Sequence, residues 1–353
     1  MTGAAPPRVD PASTGTPDAS ARNLQAGIAL GAPAQACGWR DFLARAEHAE
    51  AIGLHSVWVP EGHFRRGAMA SPLLALSAVA ARTRRVRLGT TSLLLPVHHP
   101  LRVATEAAAL DALSGGRLLL GLGRGFSAPL FEAFGVAART KRDRFDESLD
   151  AILRAFRGEA VALAGDHFAT VDGRAVTPSL RPVQRPHPPL LVAAFGGKGL
   201  LQAARRGLPY LASPLEPLDL LVENHALHRA NLPPSGIDGP FRTPVMRTVH
   251  VAGDDAEARL VRERLATEVA GAGRALPPAL ARAASGPVEG RAIVGTAAEA
   301  ADALAAYVER LGMDLVVVRS EVTGLPEDAR RRSLERLVER VLPALRATPP
   351  PRA

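Results

Sequence analysis

The stretch GGRLLLGLGRGF, residues 115–126, decides how the chain folds. Its spacing approaches the dinucleotide fingerprint G-x-G-x-x-G, with Gly121 and Gly123 in the first two positions. Phe126 stands where the third glycine belongs, and Pro129 follows where a helix pattern should open. A fingerprint loop must run from a strand straight into a helix whose N-terminus meets the pyrophosphate. Leu118–Leu122 reads as the strand, but no helix pattern starts directly after it, so the dinucleotide reading fails. What remains is a buried strand ending in Gly123, Arg124 and Gly125, which offer open backbone and a fixed positive charge.

Outward from that strand, apolar strands and helical patterns alternate from residue 24 to residue 345. Strands read at 24–30, 54–59, 86–95, 117–123, 189–194, 208–213, 243–252 and 314–319. Helices read at 39–52, 72–82, 101–113, 144–156, 199–206, 216–230, 254–268, 296–311 and 327–345, with Gly53 and Gly115 as natural stops. A small hairpin is expected over 167–178, around Asp172-Gly173. Near-continuous apolar strands are the mark of a parallel sheet buried on both faces. Eight strand–helix units in this order predict an α/β fold, a (β/α)8 TIM barrel with insertions. One domain is expected over 23–346, with a mobile loop at 270–292 and disordered tails at 1–22 and 347–353. In such a barrel ligands meet the C-terminal strand ends, which puts Gly123–Phe126 on the active face.

The 353 residues are 47% hydrophobic but only 4% aromatic, so the core has to be built from Ala, Leu and Val. No apolar run approaches the ~20 residues that span a bilayer, so no membrane partner is expected. The start carries no secretory h-region. Cys37 is the lone cysteine and can form neither an intrachain disulfide nor a zinc cluster, so a cytoplasmic location is expected. The net charge of +8 is almost wholly arginine; Lys141 and Lys198 are the only lysines. The arginines are spread over helix faces with acids nearby, which argues against a nucleic-acid partner. No metal site is expected: His98-His99 lacks a third ligand at usable spacing, and His225 and His228 read as solvated.

Several stretches resemble the bacterial luciferase-like flavin monooxygenase family. They are AEAIGLHSVWVPEGHF (49–64), LGTTSLLLPVHHPLRVATEAAALDALSGGRLLLGLGRGF (88–126), RFDESLDAILRAFRGE (144–159), RPVQRPHPPLLVAAFGGKGL (181–200) and VGTAAEAADALAAYVERLGMDLVVV (294–318). The resemblance implies a flavin-binding barrel in which reduced FMN, delivered by a separate flavin reductase, meets O2 and a small-molecule substrate. Its reductase branch implies a deazaflavin and hydride transfer instead. In either case the cofactor carries the hard chemistry and the protein positions it and excludes water.

Residue by residue, Arg124 matches the family arginine that holds the flavin phosphate, a task suited to a planar guanidinium. Ala194, Phe195, Gly196, Gly197 and Lys198 follow the fifth strand and open a helix, the arrangement of an anion site. Thr91 and Ser92 match a non-prolyl cis peptide beneath the flavin ring. Glu61-Gly62-His63 stands where luciferase has Glu-His-His, so the first, catalytic histidine is replaced by Gly62. His63 then becomes the expected acid or base, with His99 matching a histidine near the ring. Glu61, Gly62, Phe64, Leu93, Phe126 and Phe195 are expected to line a largely apolar substrate pocket. The Gly62 replacement also leaves open a non-catalytic partner subunit. The resemblance further implies a homodimer formed through helices near strands two and three.

Overall fold

The computed structural model describes residues 24–31, 38–64, 67–272, 281, 283 and 286–347. Cys37, nearly all of the expected tails and the middle of the 270–292 loop lie outside them.

The chain opens with β1 (Gln25–Ala29), α1 (Gly38–Ala51), β2 (Ser56–Val59), α2 (Pro72–Arg82) and β3 (Arg87–Thr90). Next come β4 (Leu93–Leu94), α3 (Pro100–Ser114), β5 (Leu118–Gly123), α4 (Ala128–Ala133) and α5 (Lys141–Arg157). The middle holds β6 (Leu190–Ala193), α6 (Gly197–Arg205), β7 (Tyr210–Leu211) and α7 (Leu218–Arg229). The remainder is β8 (Pro244–Val251), α8 (Asp255–Ala272), β9 (Ala292–Gly295), α9 (Ala297–Leu311), β10 (Leu315–Arg319), α10 (Glu327–Arg336) and α11 (Leu342–Ala347).

All strand pairs are parallel, in the order β7-β6-β5-β3-β2-β1-β10-β8-β9, with β4 added on β5. Parallel strands joined by helices place every C-terminal strand end at the same end of the sheet. The sheet curls around an interior filled by Trp58, Leu119, Leu191, Leu211, Phe241, Leu315 and Val317. Its outer face packs under the helices through a larger layer that includes Val57, Leu88, Leu118, Leu120, Leu122 and Val316.

The closed ring expected from the sequence is not formed. Between β7 and β8 there is one isolated bridge, Ala212 to Val245, in place of a ladder. Proline limits pairing there: in the register of that bridge Leu211 faces Pro244 and Arg247 faces Pro214, and neither proline can donate to the neighbouring strand. The architecture is therefore a curled, open parallel sheet flanked by helices.

Other departures are local. The expected strand 86–95 breaks after Thr90 and resumes at Leu93, on either side of the cis Thr91–Ser92 peptide. A short helix, α4, does follow the opening stretch, with Pro129 tolerated in its first turn. The expected hairpin at 167–178 is a loop pinned by two isolated bridges, Val161–Val176 and Ala164–Ala169, around a turn at Val171–Gly173. β9 falls between the expected loop at 270–292 and the expected helix at 296–311, where the sequence reading places no strand. His225 and His228 are buried, not solvated. They lie on the face of α7 that meets β7, where His225 packs on the Tyr210 ring at 4.5 Å and His228 Nε2 bonds the Leu208 carbonyl at 2.9 Å.

Candidate active site

The glycines of the opening stretch serve close packing. Along β5 the leucines at 118, 120 and 122 face the helices, so 119, 121 and 123 face inward. A Cβ on Gly121 would lie 2.0 Å from the Thr90 carbonyl oxygen, and one on Gly123 2.0 Å from Ser92 Oγ. The segment Thr90–Ser92 therefore presses onto β5 in the space two side chains would take. Thr90 Oγ1 donates to the Gly121 carbonyl at 2.6 Å and fixes that contact. Above this floor opens a cavity of about 1010 Å³, lined from the ends of β2, β3, β4, β5, β6 and β7 and by Met246 of β8. That is the upper end of the ~300–1,000 Å³ usual for one ligand, so it has room for a cofactor and a second molecule. Thr91 and Ser92 both line it, and Thr91 Oγ1 is buried with no hydrogen-bond partner among the described residues.

One corner is built on histidine. Glu61, at the end of β2, has a fully buried side chain. Its Oε1 accepts from His63 Nε2 at 2.6 Å and from His98 Nε2 at 2.8 Å, while Oε2 accepts from the Leu94 amide at 2.7 Å. Burial pushes the Glu61 carboxyl up, but the bonds from His98, His63 and Leu94 outweigh it, and the net shift is downward. An ionised carboxylate only accepts, so both histidines present Nε2–H to it. The free lone pair of His63 is then on Nδ1, which bonds none of the described residues. His63 and Glu61 line the cavity with Gly62 between them.

The other corner is cationic. Arg124, Lys141, Arg142 and Lys198 all line it. Burial lowers the pKa of Arg124 to about 10, with repulsion from Arg142 adding to the drop, and it stays charged at neutral pH. Its Nη1 donates to Gln202 Oε1 at 2.7 Å, and Gln202 is held in turn by Asp146 at 2.7 Å. Among the described residues Arg124 makes no ion pair. It lies against the first turn of α6, where a Cβ on Gly199 would come within 2.3 Å of Arg124 Nη2. Gly196 caps that helix at φ +74, and the amides of Gly197 and Lys198 stand ahead of its first internal hydrogen bond. An unpaired guanidinium on a glycine-lined helix N-terminus is a fitting donor set for a phosphate. The residues present therefore fit FMN.

Of the expected site residues, Glu61, Gly62, His63, Thr91, Ser92, Arg124, Phe126, Ala194, Phe195, Gly196, Gly197 and Lys198 line one cavity. His99 does not; it caps α3 and packs on Phe168 at 5.9 Å, in a layer outside the cavity. Its neighbour His98 is the histidine that reaches Glu61, a choice set by how the turn at Leu95–Val97 delivers the pair. Phe64 and Leu93 are not in the lining either. Phe64 stands beside it, packed on the His63 ring at 5.6 Å, and Leu93 points into the core. Lys141, Arg142 and Gln202 were missed. The two cations sit at the start of a long amphipathic helix and read as surface charge, and Gln202 carries no motif. Among the described residues no group of three His, Cys, Asp or Glu is arranged to hold a metal, and no helix is long and apolar enough to cross a membrane.

Comparison with known proteins agrees with this geometry. A family profile described as luciferase-like monooxygenase matches residues 24–315. The crystal structure of monooxygenase RslO1 from Streptomyces bottropensis superposes with a TM-score of 0.79 at 30% identity, over 91% of this chain and 99% of that one. The oxygenating constituent of 3,6-diketocamphane monooxygenase from Pseudomonas putida, solved with FMN, shares the fold: TM-score 0.78, 19% identity, over 93% of this chain and 100% of that one. The 4-hydroxyprotoasukamycin monooxygenase of Streptomyces nodosus subsp. asukaensis is 38% identical over 182 residues, 51% of this chain and 48% of that protein. The chain spans about half the length of the first curated relatives it matches.

Proposed function

The chain belongs to the luciferase-like monooxygenase family, and from that membership we propose that it is a flavin-dependent monooxygenase. It uses reduced FMN from a separate flavin reductase, together with O2, to oxygenate a small lipophilic organic substrate. The observation that carries this reading is Arg124: a cation drawn out of water, unpaired among the described residues, seated on the N-terminus of α6.

When bound, reduced FMN supplies the electrons that make O2 reactive toward an organic substrate. Arg124, Lys198 and the amides of Gly197 and Lys198 would hold its phosphate, with Lys141 and Arg142 adding positive potential. Thr91 Oγ1, buried without a partner among the described residues, would be free to bond the cofactor, and Thr91 and Ser92 both line the cavity that would take it. His63 moves the proton. Its Nδ1 takes it up, and the Glu61 carboxylate stabilises the imidazolium through Nε2. His98 completes the hydrogen bonding of Glu61 and so keeps that carboxylate ionised. This cluster stands in for the histidine that Gly62 replaces and favours a catalytic chain over an inactive partner subunit.

The test is a titration of the purified chain with FMN and with a deazaflavin, followed by O2 consumption with reduced FMN. FMN binding and substrate-dependent O2 uptake are expected. Tight deazaflavin binding with no FMN binding would make the chain a hydride-transferring reductase instead. We also propose a homodimer through α2 and α3, where Leu74 and Leu113 are exposed; a monomer in light scattering at micromolar concentration removes that.

A further inference from the structure

We propose that the outer part of this cavity binds planar, fused-ring aromatic substrates, held by two groups of aromatic side chains. The inference rests on the reading of the cavity as the active site and names its substrate class. The chain has only ten Phe, two Trp and two Tyr. Four of the phenylalanines gather at the mouth, where they add little to the core. Phe126 and Phe195 line the cavity and meet edge to face, with centroids 6.2 Å apart at 75°. Phe64 and Phe134 pack together at 5.5 Å, and both touch the ring of His63, at 5.6 and 5.0 Å.

Three of these rings are exposed: Phe64 by 69%, Phe126 by 48% and Phe134 by 40%. Clustered exposed apolar surface of this kind marks a binding groove. Phe64 carries a second penalty, since its φ of +54 lies in the region that favours glycine. A tunnel for an alkyl chain needs only Leu, Val and Ala, which this sequence has in abundance. Crossed aromatic rings instead present both faces and edges, the two surfaces that a flat fused-ring molecule matches through its own quadrupole. The mouth adjoins His63, so a ring held there lies beside the proton-transfer group.

The experiment compares 1-naphthol with decahydro-1-naphthol, which keeps the carbon skeleton and hydroxyl but is neither flat nor aromatic. Affinities are measured by calorimetry on the whole chain, with and without saturating FMN. Naphthol is expected to bind about tenfold tighter. In a chain carrying Phe64→Leu, Phe126→Leu, Phe134→Leu and Phe195→Leu, which keep apolar bulk, the preference should fall to within about twofold. Equal affinity for the two probes in the unaltered chain overturns the proposal, as does a preference that survives the four substitutions. A change of oligomeric state in this variant, with the preference intact, also overturns it and assigns the patch to a protein contact. FMN titrated separately reports on the cofactor reading: no FMN binding with the naphthol preference kept removes that reading and leaves this one.

Discussion

Arg124 and Glu61 line the same cavity and both are charged at neutral pH, yet only Glu61 has its charge satisfied by the protein. Glu61 receives three hydrogen bonds, two of them from histidines, and its carboxyl titrates below the usual range despite burial. Arg124 has a glutamine and a long 3.5 Å contact to the Ala193 carbonyl, with Arg142 repelling it. A satisfied buried charge holds other groups in place, and an unsatisfied one awaits a ligand. On the proposed reading, the cationic corner binds and the histidine corner does chemistry.

The largest effect should come from the histidine corner. His63→Gln keeps an N–H for Glu61 but removes the base, and turnover should fall by about 10²–10⁴. FMN affinity, read by flavin fluorescence, should move less than about threefold, because His63 is not among the phosphate ligands. A parallel loss of FMN affinity would merge the two corners into one. Arg124→Ala is the mirror experiment. FMN should bind about 10²–10³-fold more weakly, while turnover at saturating FMN stays within about threefold. Arg124→Lys should recover only part of the loss, since an ammonium lacks the planar fork.

A further buried carboxyl gives the comparison a control. Glu216 packs behind the cavity loop, accepting from the Ser213 amide at 2.8 Å and from Asn224 Nδ2 at 2.6 Å. Burial raises its pKa to about 7, and these bonds and Arg247 only partly offset that. In an unfolded chain the group would ionise near 4.5. Between those values the folded chain binds the extra proton, so stability falls as pH rises from about 4.5 to about 7 and levels off above. The term is on the order of 3 kcal/mol, about two decades in the folding equilibrium. Denaturant melts of the native chain should show that decline, and Glu216→Gln should flatten it. An equal slope in both would mean that Glu216 is ionised throughout, as Glu61 is.

The same contrast shows what could be read in advance. The strand and helix order was legible because parallel strands with helices on their outer face leave long apolar runs and clear periodic stretches. The cationic corner was legible in part because it depends on backbone: glycines after β6 and an arginine after β5 mark a helix N-terminus open to an anion. The histidine corner was legible only by half: Glu61 and His63 were expected there, His98 was not. Whether His98 or His99 reaches Glu61 depends on the turn at Leu95–Val97, and nothing in His-His-Pro encodes that rotation. The open seam beside β7 was hidden as well, since LPYLAS reads as a full strand and only the flanking prolines hint at two residues. Exposure was the remaining blind spot: His225 and His228 look polar on a helix and are in fact packed on Tyr210.

The smallest expected effect is the most discriminating, because its two readouts move in different directions. Gly199 sits in the first turn of α6 without a positive φ, so its backbone accepts alanine. Alanine is the better helix former by up to ~1 kcal/mol, and the melting temperature of Gly199→Ala should hold or rise slightly. The new Cβ would lie 2.3 Å from Arg124 Nη2. The atom it meets is the end of a flexible side chain, so the guanidinium swings aside while the helix stays put. If Arg124 grips the phosphate from its present position, that displacement should weaken FMN binding by roughly tenfold, well short of the loss in Arg124→Ala. Gly196→Ala separates the alternative. At φ +74 it strains the helix cap itself, so affinity and stability should drop together. A Gly199→Ala chain that binds FMN as the native chain does would show that Arg124 does not need this seat. The unpaired guanidinium would then lose its assignment as the phosphate ligand.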